Sequence, residues 1–501
     1  MLSRRDFLEL AARAGVATVV IPGCRPGALG SADSGGIDVN DIHSHLNPTR
    51  VRRIVRPDST GAVQAAIRAA KAEGGAVSIA GGRHAMGGQQ FASGSTLIDM
   101  NGLARVVDFD RVNGEVEVEA GMQWPELYKY LVDSQQTDKK RWAFIQKQTG
   151  ADKLSIGGAL AANVHGRGLK LAPFVGDVAA FTMVGADGVA RRCSRTENAE
   201  LFRAAIGGYG LFGVMTTVRL RLAPRHLVQR IVEVIDIDDL PAMFKRRIDA
   251  GFQYGDFQFA TELKADALLR KGVFSCYRPV DDSTPVPTNR ASLKAENWHE
   301  LIYLAHTDRA RAFQAYSSYY LTTSGQYYWS DEHQMSTYIP DYHETLGARL
   351  GEHARGTEMI TEIYVPRDAL VRFLADVRSD FLEHRTDLIY GTIRLIERDT
   401  ETMLAWAKQP YACIIFNIHV MPDEAGVEKA KQAFRRLIDR GLFYGGSYYL
   451  TYHRWAERRQ VVAAYPQFVD FLKLKRRHDP TEVIQSEWYR HYRRMFAPHD
   501  P

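Results

Sequence analysis

The sequence predicts an α+β fold, and three observations carry that prediction. Short apolar or alternating runs, at residues 76–80, 115–119 and 214–222, read as strands. Apolar residues at helical spacing, such as Val63, Ala66, Ile67 and Ala70, are interleaved with them. Two glycine clusters, at 81–88 and 157–168, mark places where the backbone turns sharply or comes very close to something.

The 501 residues are 45% hydrophobic and 25% charged, enough for large cores and two or three domains. A net charge of +5, from 64 basic and 59 acidic residues, is no polyanion-binding signature, so nucleic acid is not an expected partner. The first stretch, 1–24, carries Arg4-Arg5 and then an apolar run to Ile21 that Arg13 interrupts. It is too short for a membrane span and resembles a twin-arginine export signal, which implies the periplasm or cell envelope. Ile21-Pro22-Gly23-Cys24 resembles a lipoprotein cleavage box, and a lipid on Cys24 would tether the chain without a transmembrane segment. Cleavage near residue 32 is the alternative. Residues 25–46, rich in Gly, Ser and Asp, read as a linker. The four cysteines form no CxxC, so no zinc, iron–sulfur or other metal centre is expected and no disulfide can be assigned.

The elements then follow in order. Asp58-Ser59-Thr60 caps a helix that Gly74-Gly75 ends. Residues 76–80 form a buried strand that opens into Gly81-Gly82-Arg83-His84-Ala85-Met86-Gly87-Gly88-Gln89. Consecutive amides in such a loop make an anion cradle, with pyrophosphate the usual guest. Residues 97–100 and 115–119 are strands and 124–132 a helix. The second cluster runs from Gly157-Gly158 through Asn163-Val164-His165 to Gly168. A strand at 181–184 closes on Asp187-Gly188, and a helix covers 200–206. Gly208-Tyr209-Gly210-Leu211-Phe212-Gly213 is formally GxGxxG, but a helix precedes it and a strand follows, the reverse of a dinucleotide-binding unit. A tight turn feeding the strand from Val214 is the reading adopted. Residues 225–445 differ in character: Tyr303, Tyr316, Tyr319, Tyr320, Tyr327, Tyr328, Trp329, Tyr338 and Tyr342 crowd there, read as ordinary core with pocket lining as the alternative. The tail is a helix closed by Asp479-Pro480, then a short extended segment around Ser486-Glu487-Trp488.

Taken together, the loop Gly82-Arg83-His84-Ala85, the segment Gly157-Gly158 to Gly168, Gly185-Ala186-Asp187-Gly188 and Gly207 to Val214 resemble flavoproteins of the vanillyl-alcohol-oxidase/p-cresol-methylhydroxylase superfamily. Within it the chain is most similar to the alditol and aldonolactone oxidases and the decaprenyl-phosphoribose oxidases, through Thr361 to Arg367, Thr392 to Asp399 and the ending from Gly445-Gly446. The resemblance implies a split FAD-binding domain of the p-cresol-methylhydroxylase type, residues 47–224 and 446–501, with an inserted α+β cap at 225–445. It implies FAD, linked covalently through His84, with Gly81, Gly82, Arg83, Ala85, Gly87, Gly88, Gln89, Gly157, Gly158, Asn163, His165, Gly168 and Val214 around the cofactor. It implies hydride transfer from a hydroxyl-bearing carbon of a sugar, alditol or lactone to flavin N5. Tyr452 stands where relatives place a lysine, and the expectation is that it serves as base, its pKa lowered by Arg394, with His419 and Asn417 beside the pocket. Val164 resembles a position that gates oxygen, which leans toward a dehydrogenase with a quinone or redox-protein acceptor over O₂. Two alternatives stay open: a flavoenzyme acting on an aromatic alcohol or amine, and a flavin-free exported binding protein.

Overall fold

The computed structural model describes residues 35–497 apart from 265, 337–341 and 352–355. The export signal, Cys24, Tyr338 and the side chain of Tyr342 lie outside the described residues. The architecture is a mixed helix-and-sheet one, with four sheets among the described residues.

Strand β1 (Ile37–Val39) pairs antiparallel with β2 (Thr49–Val51). The linker expected over 25–46 is therefore corrected: from residue 37 the chain is a strand and a fixed turn. Asp41 organises that turn, its carboxylate accepting from the amides of His43, Ser44 and His45 and from the Asn47 side chain. Short polar residues look like a linker in composition but also build side-chain-capped turns.

Strands β3 (Arg53–Val55), β4 (Val77–Ala80) and β5 (Thr96–Asp99) form a parallel sheet with β5 in the middle. The helix Thr60–Ala72 starts on the Ser59 side chain, which accepts from the Ala62 amide, and Gly74 follows its end at φ 65°. Its buried face, Val63, Ala66, Ile67 and Ala70, packs with Val184, Val214 and Ile484.

A six-stranded sheet comes next, built from β6 (Val106–Asp110), β7 (Glu115–Glu119), β8 (Trp142–Phe144), β9 (Val178–Val184), β10 (Ala190–Ser194) and β11 (Val214–Pro224). Strand β11 is its spine, bonding to β7, β8 and β9. The turn into β11 has Gly207, Tyr209 and Gly210 at positive φ and follows the helix Ala199–Ala205, the helix–turn–strand order read from the sequence.

An eight-stranded antiparallel sheet holds the rest: β12 (Leu227–Asp236), β13 (Tyr254–Phe259), β14 (Lys271–Pro279), β15 (Tyr327–Trp329), β16 (Thr357–Pro366), β17 (Leu388–Ile396), β18 (Tyr411–Val420) and β19 (Ser447–Tyr448). Gly446 lets β19 dock on β16, because a Cβ there would overlap the Tyr364 carbonyl oxygen. The chain then turns back to the first sheets. Val77 forms a parallel bridge with Ile484. The segment after Ser486, expected to be extended, is instead the helix Glu487–Met495, capped by the Ser486 hydroxyl. Its first amides donate to the carbonyls of Phe91 and Gly88 at 2.6 and 3.2 Å.

Candidate functional site

One cavity of about 920 Å³ runs between the loop after β4, the helix Ile156–Ala162 and the turn before β11 on one side, and strands β13, β17 and β18 on the other. Of the residues expected around a cofactor, Gly81, Gly82, Arg83, His84, Ala85, Gln89, Gly157 and Gly158 line it. The glycines are needed where the loop pinches against its neighbours: a Cβ on Gly81 would overlap Ser155 Oγ, and one on Gly82 the Lys153 carbonyl. Arg83 is held at φ 56°, a strained conformation for a residue with a side chain. Gln89 fixes the loop by accepting from the Gly87 amide and donating to the Leu450 carbonyl.

His84 is mostly buried at the cavity wall, with Nδ1 2.8 Å from His43 Nε2 and Nε2 without a partner among the described residues. Burial, with the nearby His43 second, depresses its pKa to about 3, so the ring is neutral at pH 7. In the tautomer whose Nδ1 donates to His43, the neutral ring carries its lone pair on Nε2 and is a competent nucleophile. Sequence reasoning missed His43, because the Asp41 turn that presents it looked like a linker.

Six of the expected cofactor residues do not line the cavity. Gly87 packs on the Tyr452 backbone and Gly88 on Arg454, so both join the loop to the C-terminal segment. Asn163, left-handed at φ 49°, ends the helix Ile156–Ala162 and bonds Val175 and Asp399. Gly168 bridges to Tyr254, and Val214 is core. His165 points away from the cavity to Glu362 on β16, with Nε2 2.5 Å from Oε1. Its Nδ1 faces the Gly166 carbonyl at 3.1 Å, and so donates there.

Of the expected catalytic residues, Tyr452 and Arg394 line the cavity. The Tyr452 hydroxyl donates to Glu362 Oε2 at 3.3 Å. The expected lowering of its pKa is corrected. Burial and the adjacent Glu362 carboxylate push the phenol well above its ordinary value, and Arg394 opposes them only in part. Glu362 itself is fully buried. Burial alone would raise its pKa, but His165 and then Arg394 outweigh that and hold it ionised. Tyr452 is thus a neutral phenol donating to a carboxylate. His419 shares a strand face with Ile415 and Asn417, which line the cavity, but lies past its end, edge-on to the His306 ring. Cys413 Sγ sits 3.8 Å from His165 Nε2, and these two with Glu362 could offer donors to a metal. The closest donors are already engaged with each other, and burial with Glu362 keeps the thiol protonated. Cys193, Cys276 and Cys413 are free and buried. Tyr316, Tyr319, Tyr320 and Tyr328, read mainly as core, face the cavity.

A cavity of about 920 Å³, a glycine-pinched loop and a buried His84 nitrogen with no partner among the described residues fit a flavin nucleotide. Residues 51–194 match the family described as FAD binding domain. The chain is 30% identical to L-gulonolactone oxidase of Mus musculus over 175 residues, 35% of this chain and 38% of that protein. It is 31% identical to cytokinin dehydrogenase 3 of Oryza sativa subsp. japonica over 151 residues, 29% of this chain and 27% of that protein. Those alignments span well under half of each relative. A longer one, 21% identical over 456 residues, covers 88% of this chain and 95% of decaprenylphosphoryl-beta-D-ribose oxidase of Mycolicibacterium smegmatis.

Proposed function

We propose, from an FAD binding domain that makes FAD the cofactor of this chain, that the protein is an FAD-dependent oxidoreductase acting on a hydroxyl-bearing carbon of a sugar-, alditol- or lactone-like substrate. The observation that carries the substrate class is the density of unpaired polar atoms in the cavity wall opposite the glycine loop. Gln258 Oε1, Tyr316 OH, Thr392 Oγ1, Asn417 Oδ1 and two nitrogens of Arg394 are all buried without partners among the described residues. Buried polar atoms are ordinarily bonded, so such a set calls for a ligand with several hydroxyls. An aromatic alcohol could fill only one or two of them.

Bound FAD supplies the hydride acceptor at N5. The protein supplies the route for the hydroxyl proton. It passes to the Tyr452 oxygen as Tyr452 gives its own proton to Glu362 Oε2, and His165 holds the other carboxylate oxygen. Arg394 stabilises the substrate oxygen as its proton leaves. Tyr452 therefore acts as a relay and Glu362 as the proton acceptor.

Further parts of the reading belong here. His84 Nε2 forms the covalent link to the flavin. Val164, buried against the cavity, hinders O₂ and favours a quinone or redox-protein acceptor. Residues 47–224 and 446–501 form the cofactor domain and 225–445 the cap; sheets that divide near residue 225 support the first boundary, whereas β19 at Ser447–Tyr448 still pairs with β16 of the cap sheet. Arg4 and Arg5 direct export; no described helix is long and apolar enough to cross a membrane. Anaerobic stopped-flow mixing tests the function. Alditols, lactones or aldoses should bleach the flavin faster than aromatic alcohols or amines, and the reverse order would replace this substrate class.

A further inference from the structure

The cavity wall opposite the glycine loop carries an excess of positive charge. Arg167, Arg230 and Arg394 all reach it, with Arg230 and Arg394 only 7% and 5% exposed. Among the described residues lining that side, Asp256 is the one carboxylate facing them, 3.6 Å from Arg167. Arg290 and Glu332 also line the cavity but pair with each other at 2.5 Å. Glu362 lies behind the wall, committed to His165 and Tyr452.

Asp256 offsets part of this charge and Glu362 acts on Arg394 from behind, while the other groups around the cations solvate them without cancelling them. Arg167 and Arg230 flank one ring, Tyr277, at 5.9 and 5.6 Å, and Arg230 also lies 4.2 Å over Tyr320. Arg230 Nε donates to Ser275 Oγ at 2.9 Å. Rings and hydroxyls attract a guanidinium but carry no opposite charge. Nε of Arg167, and Nε and one terminal nitrogen of Arg394, are buried with no partner among the described residues. A desolvated guanidinium with open donors is stabilised by a planar or tetrahedral oxyanion, which takes paired, charge-assisted hydrogen bonds.

We propose that the natural substrate is an anion, a hydroxylated small molecule whose carboxylate or phosphate is held by Arg167 and Arg230 while its reacting hydroxyl meets Arg394 and Tyr452. The proposal rests on the polyol reading above and adds the charge. It also gives the neutral orphaned atoms and the orphaned guanidinium nitrogens separate tasks, along the carbon chain and at its charged end.

Matched probes on the flavin-loaded full chain test it, with perturbation of the bound-flavin spectrum as the binding readout. D-gluconate is compared with D-glucitol, and glucose 6-phosphate with glucose. The expected result is at least about tenfold tighter binding for the charged member of one pair, weakening as salt rises. A preference in the first pair assigns a carboxylate, and in the second a phosphate. Arg230→Met should shrink the preference to under about threefold with flavin content unchanged, and Arg230→Lys should keep most of it. If neutral members bind as tightly as charged ones, the charge proposal alone falls. If neither member of either pair perturbs the flavin, the polyol reading falls with it. Should Arg230→Met not fold, the pairwise comparison on the parent protein still decides.

Discussion

His84 and Tyr452 are the two side chains on which the proposed chemistry rests, and their local settings lead to opposite protonation needs. His84 is neutral because burial and His43 depress its pKa to about 3, which suits a nucleophile. We expect acid-precipitated protein to retain flavin fluorescence on a denaturing gel. His84→Ala should release all of it, and retention by that variant would place the link elsewhere. Tyr452 is a phenol whose proton is held by Glu362, so the proposed base is a pair. Tyr452→Phe and Glu362→Gln should each slow flavin reduction by about 10² to 10⁴ while the bound flavin spectrum stays nearly normal. The double variant should be little slower than the slower single, because both changes break one relay; additive losses would separate the two roles. The glycine loop was legible from its own glycines, and Tyr452 was reached only through the resemblance of the segment after Gly445-Gly446 to the lysine-bearing one of relatives. Glu362 was not: it sits 90 residues upstream on a strand where alternation gives a face but no partner.

Elements were legible where their signals are local. The Ser59 cap, the strict alternation of β7 and the helix–turn–strand order at 199–224 needed only neighbouring residues. Strand β1 and the helix Glu487–Met495 were not, since a three-residue strand exists only through its partner and that helix carries four arginine and histidine residues between its buried aromatics. One short element makes a stability prediction. Asp177 ends the 3₁₀ turn Phe174–Asp177 before β9, with Oδ2 buried and without a partner among the described residues. Burial raises its pKa to about 8 against the weaker opposing pulls of Gln146 and Arg221. Its folded pKa exceeds the unfolded one, so the folded state binds the extra proton between about pH 4 and 8 and stability falls as pH rises through that window. Asp177→Asn should remove the slope. The melting temperature of the variant should exceed that of the parent at pH 9, by roughly 1–3 kcal/mol of stability, with a much smaller gap at pH 5. Equal gaps at both pH values would show that Asp177 is not protonated in the fold.

Over the whole molecule, the cavity is closed by parts distant in sequence. Met86 donates to the Thr451 carbonyl, Gln89 to that of Leu450, and the Trp488 amide to that of Gly88. Trp488 is fully buried, and its indole nitrogen also reaches the Leu450 carbonyl at 3.2 Å. Trp488→Ala should cost about 3–5 kcal/mol in chemical denaturation and lower the FAD retained through gel filtration; an unchanged flavin-to-protein ratio would free the loop from this support. No local pattern announced these pairings, since nothing in residues 81–91 names a partner some 360 to 400 positions later. The same pairings set an order of events during synthesis. The residues that brace the glycine loop, 450–452 and 484–488, are translated some 360 to 400 positions after it. At elongation rates of about 5–20 residues per second, the loop waits on the order of tens of seconds without its support. Stable FAD capture is therefore expected only once these segments are made, and a ribosome-stalled nascent chain ending before residue 450 should carry no flavin.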